Sequence, residues 1–385
     1  VPISVSLQAL YRKVDRIETP IASALVRKSD ERLAPVIAAM GGTLTPFLPG
    51  YRTKILDGNH LPGTEHRILE LRTMRAGALP GQALVVFDPE RMLAIDAILC
   101  EDGHAQERSL LDQVLGTVKE KDLWIADRNF CTTNFLFGIA HRRGFFIIRQ
   151  HASTLHYTLV GKRKAWGRIE TGAVFEQKLR ATNEVGEILF LRRVSVVLDQ
   201  PTRDGDTEIH LLTNLPATSA HAEVVANLYR RRWTIETAFQ ELEATLDGEI
   251  TTLGYPKAAL FAFCVALVSY NVLSTVKAAL RAAHGADEIT EAFSGYYLAD
   301  EVRMSYRGMM RALPKDEWVE FQEMSPEELA EVMVSWARTV PLSEYRKSPR
   351  GPKKPKPEKT SGAKIKHVAT AKILKSRKVC TKLHV

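Results

Sequence analysis

Hydrophobic positions along the chain change period several times, and each change marks an element. Over the first 45 residues, Leu7, Leu10, Val14 and Ile17 recur at helical spacing. Ile21, Leu25 and an apolar segment over 33–40 follow, and Gly41-Gly42 ends the region. An N-terminal helical region over 1–45 is expected. Strand-like runs come next. Residues 52–56 lead into Asp57-Gly58, a turn dipeptide. Residues 83–87 (ALVVF) end at Asp88-Pro89, and 92–99 (MLAIDAIL) return after a tight turn, which predicts a hairpin. A helix is expected over 104–118, a buried strand over 123–126 closing at Asp127, a helix over 132–141 and a fifth strand over 145–148. The order β, β, β, α, β, α, β implies a mixed sheet with helices packed on it.

From 151 to 215 the pattern shortens to alternating strands at 156–159, 173–178, 188–198 and 209–212. This predicts an all-β insertion. Lys162, Arg163, Lys164 and Arg168 cluster at its start around Trp166. Helical spacing returns over 221–246, where Val225, Leu228, Ile235, Phe239, Leu242 and Leu246 form one core stripe on a single expected helix. Residues 258–276 are apolar over the length of a membrane span, between Lys257 and Lys277. Ser269, Tyr270 and Asn271 interrupt the run, so a buried core helix is expected rather than a span. Helices continue over 283–345. The tail from 346 to 385 is rich in Pro and Lys and reads as disordered.

Length and charge sharpen this outline. A chain of 385 residues suits two or three structural units. At 45% hydrophobic and 25% charged residues it has the composition of a soluble globular protein. The net charge of +8 is unevenly spread. Residues 346–385 hold 14 Lys or Arg and one acid, a net of +13, while 1–345 hold 39 bases against 44 acids, a net of −5. A basic tail on an acidic body suggests a polyanionic partner, nucleic acid first; a solubilising tail is the plain alternative. Cys100, Cys131, Cys264 and Cys380 are scattered, which argues against a disulfide framework or zinc ribbon and for a reducing, cytoplasmic compartment. The sequence opens on Val1-Pro2 with no basic-then-apolar signal segment, leaving room for a missing upstream domain.

Three acids are candidates for chemistry. Asp57 closes the first expected strand and Asp127 the fourth. On adjacent parallel strands they would lie side by side, which is costly without a compensating cation. Taken singly, each reads more simply as a turn or helix-cap aspartate. On the 221–246 helix, Tyr229, Arg232, Glu236, Gln240 and Glu243 fall within an arc of about 80° beside the core stripe. Glu236 could complete a carboxylate cluster, or simply pair with Arg232 one turn away.

The segment from Tyr229 to Glu236 (YRRRWTIE) resembles the Y-x2-R-x3-E-x6-K signature of bacterial insertion-sequence transposases, the family named for insertion sequence 4. Glu243 stands where that signature has Lys. Asp57-Gly58 and the segment 126–130 (ADRNF) resemble the family's first and second acid motifs, and a mostly β insertion before the third acid is a family trait. The resemblance covers roughly 50–280. It implies an α/β, ribonuclease-H-like fold of the retroviral-integrase type: a core over 46–150 and 216–282, interrupted by the insertion and followed by a helical C-terminal region. It further implies that Asp57, Asp127 and Glu236 hold two Mg²⁺ or Mn²⁺ ions for strand cleavage and transfer at transposon ends. Tyr229 and Arg232 would hold a terminal phosphate. Trp166, with Lys162, Arg163, Lys164 and Arg168, could stack on an unpaired or flipped base, or, more simply, be a hairpin tryptophan packing on its own sheet. The implied partners are double-stranded DNA of terminal repeats and target, bound by a homodimer in the bacterial cytoplasm at the nucleoid, with no membrane. A nuclease of the same fold without strand transfer and a non-catalytic DNA-binding derivative remain open.

Overall fold

A computed structural model of the chain describes residues 6–63, 77–151, 154–202, 205–245, 254–348 and 367–375. Its centre is a sheet of ten strands. Strands β1 (Arg52–Gly63), β4 (Asp122–Ala126) and β5 (Phe145–Arg149) run parallel at the middle. Antiparallel β2 (Gly77–Asp88) lies beyond β1, and β3 (Leu93–Cys100) beyond β2. The spatial order is thus β3-β2-β1-β4-β5.

The middle strands are apolar throughout because both faces are covered. Ile55, Leu123, Ile125 and Ile147 face one core, together with side chains of α2 (Thr19–Ala39), α5 (Ala222–Arg230) and α7 (Pro256–His284). Their neighbours Leu56, Trp124, Ala126, Phe146 and Ile148 face the other, against α3 (Leu111–Leu115) and α4 (Thr133–His141). This is a mixed α/β sheet with flanking helices. Its period-two alternation fixes which face each following residue takes.

The β-rich region from 156 to 213 continues the same sheet. β6 (His156–Ile169), β7 (Gly172–Thr182), β8 (Ile188–Leu198) and β9 (Glu208–Thr213) form an antiparallel meander, and β9 pairs with β5 at Ile147↔Thr213.

The apolar helix α7 is a core helix. Phe263, Cys264, Leu267 and Tyr270 are buried against the sheet. Asn271, one of the residues that interrupt the apolar run, is fully buried and accepts from the Ala94 N–H at 2.8 Å. Its amide donates to the Ala94 carbonyl at 2.8 Å and to Ser29 Oγ at 2.7 Å. One polar side chain thereby ties α7 to β3 and α2.

Four sequence expectations are corrected. Asp57-Gly58 is not a turn: β1 continues to Gly63, held by antiparallel pairing of Asp57 with Val85 and Gly58 with Leu84. Only the parallel pairing with β4 stops before Asp57, at Leu56↔Ala126. The helix expected over 104–118 shrinks to a 3₁₀ turn at Glu107–Leu110 and the five residues of α3, ending at Gly116. The single helix expected over 221–246 is two, α5 and α6 (Trp233–Thr245), broken at Arg231-Arg232. There the backbone tightens: Arg232 N–H bonds to Tyr229 O, Thr234 N–H to Arg231 O and Ile235 N–H to Arg232 O. Leu228 and Ile235 still enter the same core, so the apolar stripe hides the break. Finally, the tail is not structureless throughout. His367–Ala369 forms β10, parallel to β2 where β3 no longer covers it, and buries Ala369 and Thr370.

Candidate active site

Three elements bring acids to the carboxyl ends of the parallel strands. Asp57 follows Leu56, the last β1 residue paired with β4, and shares the face of Ile55 two residues earlier. Asp127 directly follows β4 and caps a short 3₁₀ turn (Arg128–Phe130), its side chain accepting from the Asn129 N–H. Glu236 lies in the first turn of α6.

Arg232 stands between the first and third acids. Its Nη1 donates to Asp57 Oδ2 at 3.1 Å and its Nη2 to Glu236 Oε1 at 2.6 Å. The arginine side chain is 10% exposed, that of Asp57 19% and that of Glu236 27%. Breaking the helix at this turn is what aims the guanidinium at Asp57. Among the described residues no group of three or more His, Cys, Asp or Glu is gathered closely enough to hold a metal ion. A guanidinium bridges two of the acids instead.

The electrostatics show what the bridge leaves undone. Burial pushes the Asp57 carboxyl up to about 6; Arg232 and the Gly58 N–H oppose this, while Asp127 and Glu236 add to it. Burial alone would lower the Arg232 pKa, yet Asp57, Tyr229, Glu236 and Asp127 together hold it above its usual value. Arg232 thus does not offset the burial of Asp57. The site therefore favours additional positive charge. Its donors are hard carboxylate oxygens, the set that Mg²⁺ and Mn²⁺ take, so the donor chemistry fits such ions, while the side chains as placed leave Arg232 rather than an ion between Asp57 and Glu236. Tyr229 adjoins the arginine: burial raises its phenol to about 12, and its hydroxyl hydrogen-bonds Arg232.

Sequence reasoning missed Glu107 and Asn129. A Cβ at Gly58 would collide with the Glu107 carboxylate, so the glycine lets this acid approach β1 on the face opposite to that of Asp57. Asn129 Nδ2 donates to Glu107 Oε2 at 3.3 Å. Asn129 adjoins the second-acid motif, but Glu107 has no sequence signal: it sits on what reads as the polar face of a surface helix.

The basic cluster of β6 lies apart from this arrangement. Trp166 is 46% exposed. Arg163 pairs with Glu208 at 2.6 Å and lies over the Phe175 ring, and Arg168 pairs with Asp199 at 2.6 Å. Lys162 and Lys164 are exposed. Among the described residues none of the five bonds to Asp57, Asp127 or Glu236. The side chain of Glu243, at the signature's last position, lies outside the described residues.

Fold and geometry together define an α/β protein with Asp57, Asp127 and Glu236 near the carboxyl end of the β1–β4 pairing. The chain belongs to the family described as transposase DDE domain, which matches residues 49–272. It is similar to the putative transposase InsL for insertion sequence element IS186A of Escherichia coli (strain K12), with 24% identity over 261 residues. It is equally similar to the transposase for insertion sequence element IS421 of Escherichia coli, at 24% over 261 residues. Each match covers 59% of this chain and 66% of the relative.

Proposed function

We propose that the chain is a cut-and-paste DNA transposase of the insertion sequence 4 branch, with Asp57, Asp127 and Glu236 as the residues that hold two divalent ions. The observation that carries this reading is the partly buried Asp57–Arg232–Glu236 bridge, in which one guanidinium answers two acids with Asp127 close enough to act on the same charge. The strand order β3-β2-β1-β4-β5 supports a ribonuclease-H-like core, and the family match supports the reaction class.

When bound, Mg²⁺ or Mn²⁺ would supply Lewis-acid stabilisation of an attacking and a leaving oxygen at phosphorus. This chain's own groups do the rest. Asp57 is fixed within β1, Asp127 at the end of β4 and Glu236 by a helix, so the acids sit on rigid elements. Arg232, once its carboxylates are otherwise compensated, is free to donate bidentately to a phosphate. Tyr229 stays protonated at neutral pH and donates beside it. The DNA partners would be transposon terminal repeats and target, brought together by a homodimer in the cytoplasm.

The test is cleavage of end-labelled terminal-repeat DNA in Mn²⁺, followed by joining of its 3′-hydroxyl end to a plasmid. Asp57→Asn, Asp127→Asn and Glu236→Gln should each abolish both steps while DNA is still bound. Cleavage without joining would reduce the reading to a nuclease, and undiminished cleavage by any of the three would remove that acid from the site.

A further inference from the structure

On another flank of α6 lies a cavity of about 680 Å³ with the opposite charge. Arg230, Arg231, Lys277, Arg281 and Lys347 line it, and among the described residues no aspartate or glutamate does. Several of these cations already have partners, and the Arg231 guanidinium lies over the Phe47 ring, 3.4 Å from its centroid. Arg230 pairs with Glu170 at 2.6 Å, and Lys347 Nζ donates to the carbonyls of Thr290 and Glu291 at 3.0 and 2.9 Å, at the end of α8 (Ala286–Glu291). The floor comes from α7. Arg281 is 8% exposed; its Nε donates to Gly42 O at 3.0 Å, but its Nη2 is buried with no hydrogen-bond partner. Lys277 lies one turn away on the same helix. Burial first, then the charges of Arg281 and Lys347, bring the Lys277 ammonium down to about 8. Burial brings Arg281 down to about 10, against an opposing contribution from Tyr270.

Cations gathered in a partly desolvated cavity repel one another until a counter-charge enters. The position of the cavity says which anion that is. Trp233, Thr237 and Gln240 on α6 form part of its wall, and Glu236 is on the same helix, about 60° round from Trp233. The acid site and the basic cavity thus share α6. Phe47 and Phe293 give the cavity an apolar side.

We propose that this cavity is a phosphate subsite, in which Lys277 and Arg281 receive a backbone phosphate of the DNA strand held at the acids. An ammonium and a guanidinium side by side more than neutralise the single negative charge of a phosphodiester and offer it charge-assisted hydrogen bonds, and the aromatic side accommodates its sugar. This rests on the DNA-processing reading above, but it assigns residues that the reading does not use.

The experiment has two arms on the full chain. The first follows thermal unfolding with and without inorganic phosphate. The second follows duplex DNA affinity across a salt series. Lys277→Met is the main variant, since it keeps the length of the side chain and removes only a buried charge. Arg281→Gln is the second. Phosphate should raise the Tm of the parent chain and leave that of Lys277→Met unmoved. Each variant should bind DNA more weakly, with the slope of log affinity against log salt reduced by about one. Equal phosphate stabilisation of parent and variants, or an unchanged salt slope, overturns the subsite while leaving the acid-site reading intact. Phosphate protection lost in the variants with an unchanged salt slope would mean a free anion rather than DNA, and also overturns it. Absence of any DNA binding by the parent chain would overturn both readings.

Discussion

Arg232 donates to Asp57 at 3.1 Å, across 175 positions of sequence, and from the same guanidinium to Glu236 at 2.6 Å only four positions away. The short-range contact could form on an isolated helix. The long-range one requires the sheet, the turn between α5 and α6 and the packing of Leu228 and Ile235 on either side of it. The guanidinium is thus both a tertiary tie and a charge answering the two acids it touches. Its removal exposes both roles.

Arg232→Met should be strongly destabilising in the absence of divalent ions. The methionine fills much of the same space, but it leaves Asp57 and Glu236 mutually repelling and partly buried. Breaking one side of a buried pair costs about 3–5 kcal/mol, and the 27% exposure of Glu236 brings the expectation toward about 2–3 kcal/mol. Urea unfolding with and without 10 mM Mg²⁺ checks this. The ion should restore more stability to Arg232→Met than to the parent chain. An equal gain in both would show that the ion does not substitute for the guanidinium.

Divalent ions should also stabilise the parent chain. At a hundredfold excess over its dissociation constant, a bound ion adds about 2.7 kcal/mol to the unfolding free energy. Differential scanning calorimetry in Mn²⁺ and in EDTA should show the shift. Asp57→Asn and Glu236→Gln should each abolish most of it. Persistence of the full shift in both variants would place the ion elsewhere.

The contrast between what sequence reveals and what it hides is instructive around these residues. The apolar runs at 52–56, 123–126 and 145–148 announce buried strands, and a βαβ connection makes neighbouring parallel strands the simplest arrangement. The side-by-side placement of Asp57 and Asp127 therefore follows from pattern alone. The continuation of β1 through Asp57-Gly58 does not, because that dipeptide favours turns and only the length of β2 overrides it. The break at Arg231-Arg232 is hidden for a related reason: a tightened turn rotates the stripe too little to disturb its spacing. Glu107 and the cations of α7 are hidden more deeply. Lys277 and Arg281 read as the polar end of an apolar helix, and only the docking of the segment around Thr290 and Phe293 turns that end into a cavity wall.

Asn271→Leu tests the polar bracket under α7. The substitution keeps the volume and raises the apolarity of the helix, so a purely hydrophobic account predicts little loss. It also leaves the Ala94 N–H without the Asn271 acceptor and the Ala94 carbonyl without its amide donor, in a site with no access to water. Each stranded buried group costs about 1–3 kcal/mol. A fall of about 2–4 kcal/mol in unfolding free energy is expected by chemical denaturation. A neutral result would mean that water or a backbone shift replaces the bracket.

The pH dependence of stability provides a final test, and its sign is opposite to that of ordinary acid denaturation. Burial raises the Asp57 pKa from 3.8 to about 6 in the folded chain. Between those values the folded state holds a proton that the unfolded state has released. Stability therefore falls as pH rises through the window, and the penalty is complete above about pH 6. A shift of about two units corresponds to about 3 kcal/mol at full burial, and the 19% exposure of the side chain reduces this to about 1–2 kcal/mol. Asp57→Asn removes the titration while its amide oxygen can still accept from Arg232. At pH 7.5 the variant should melt higher than the parent chain in metal-free buffer, and the difference should shrink toward pH 4. Asp30, raised to about 6 for the same first reason of burial, contributes a parallel slope in both proteins and cancels in the comparison. If the variant and parent stability curves run parallel from pH 4 to 7.5, Asp57 carries no burial penalty, and the under-compensation of the acid site is lost with it.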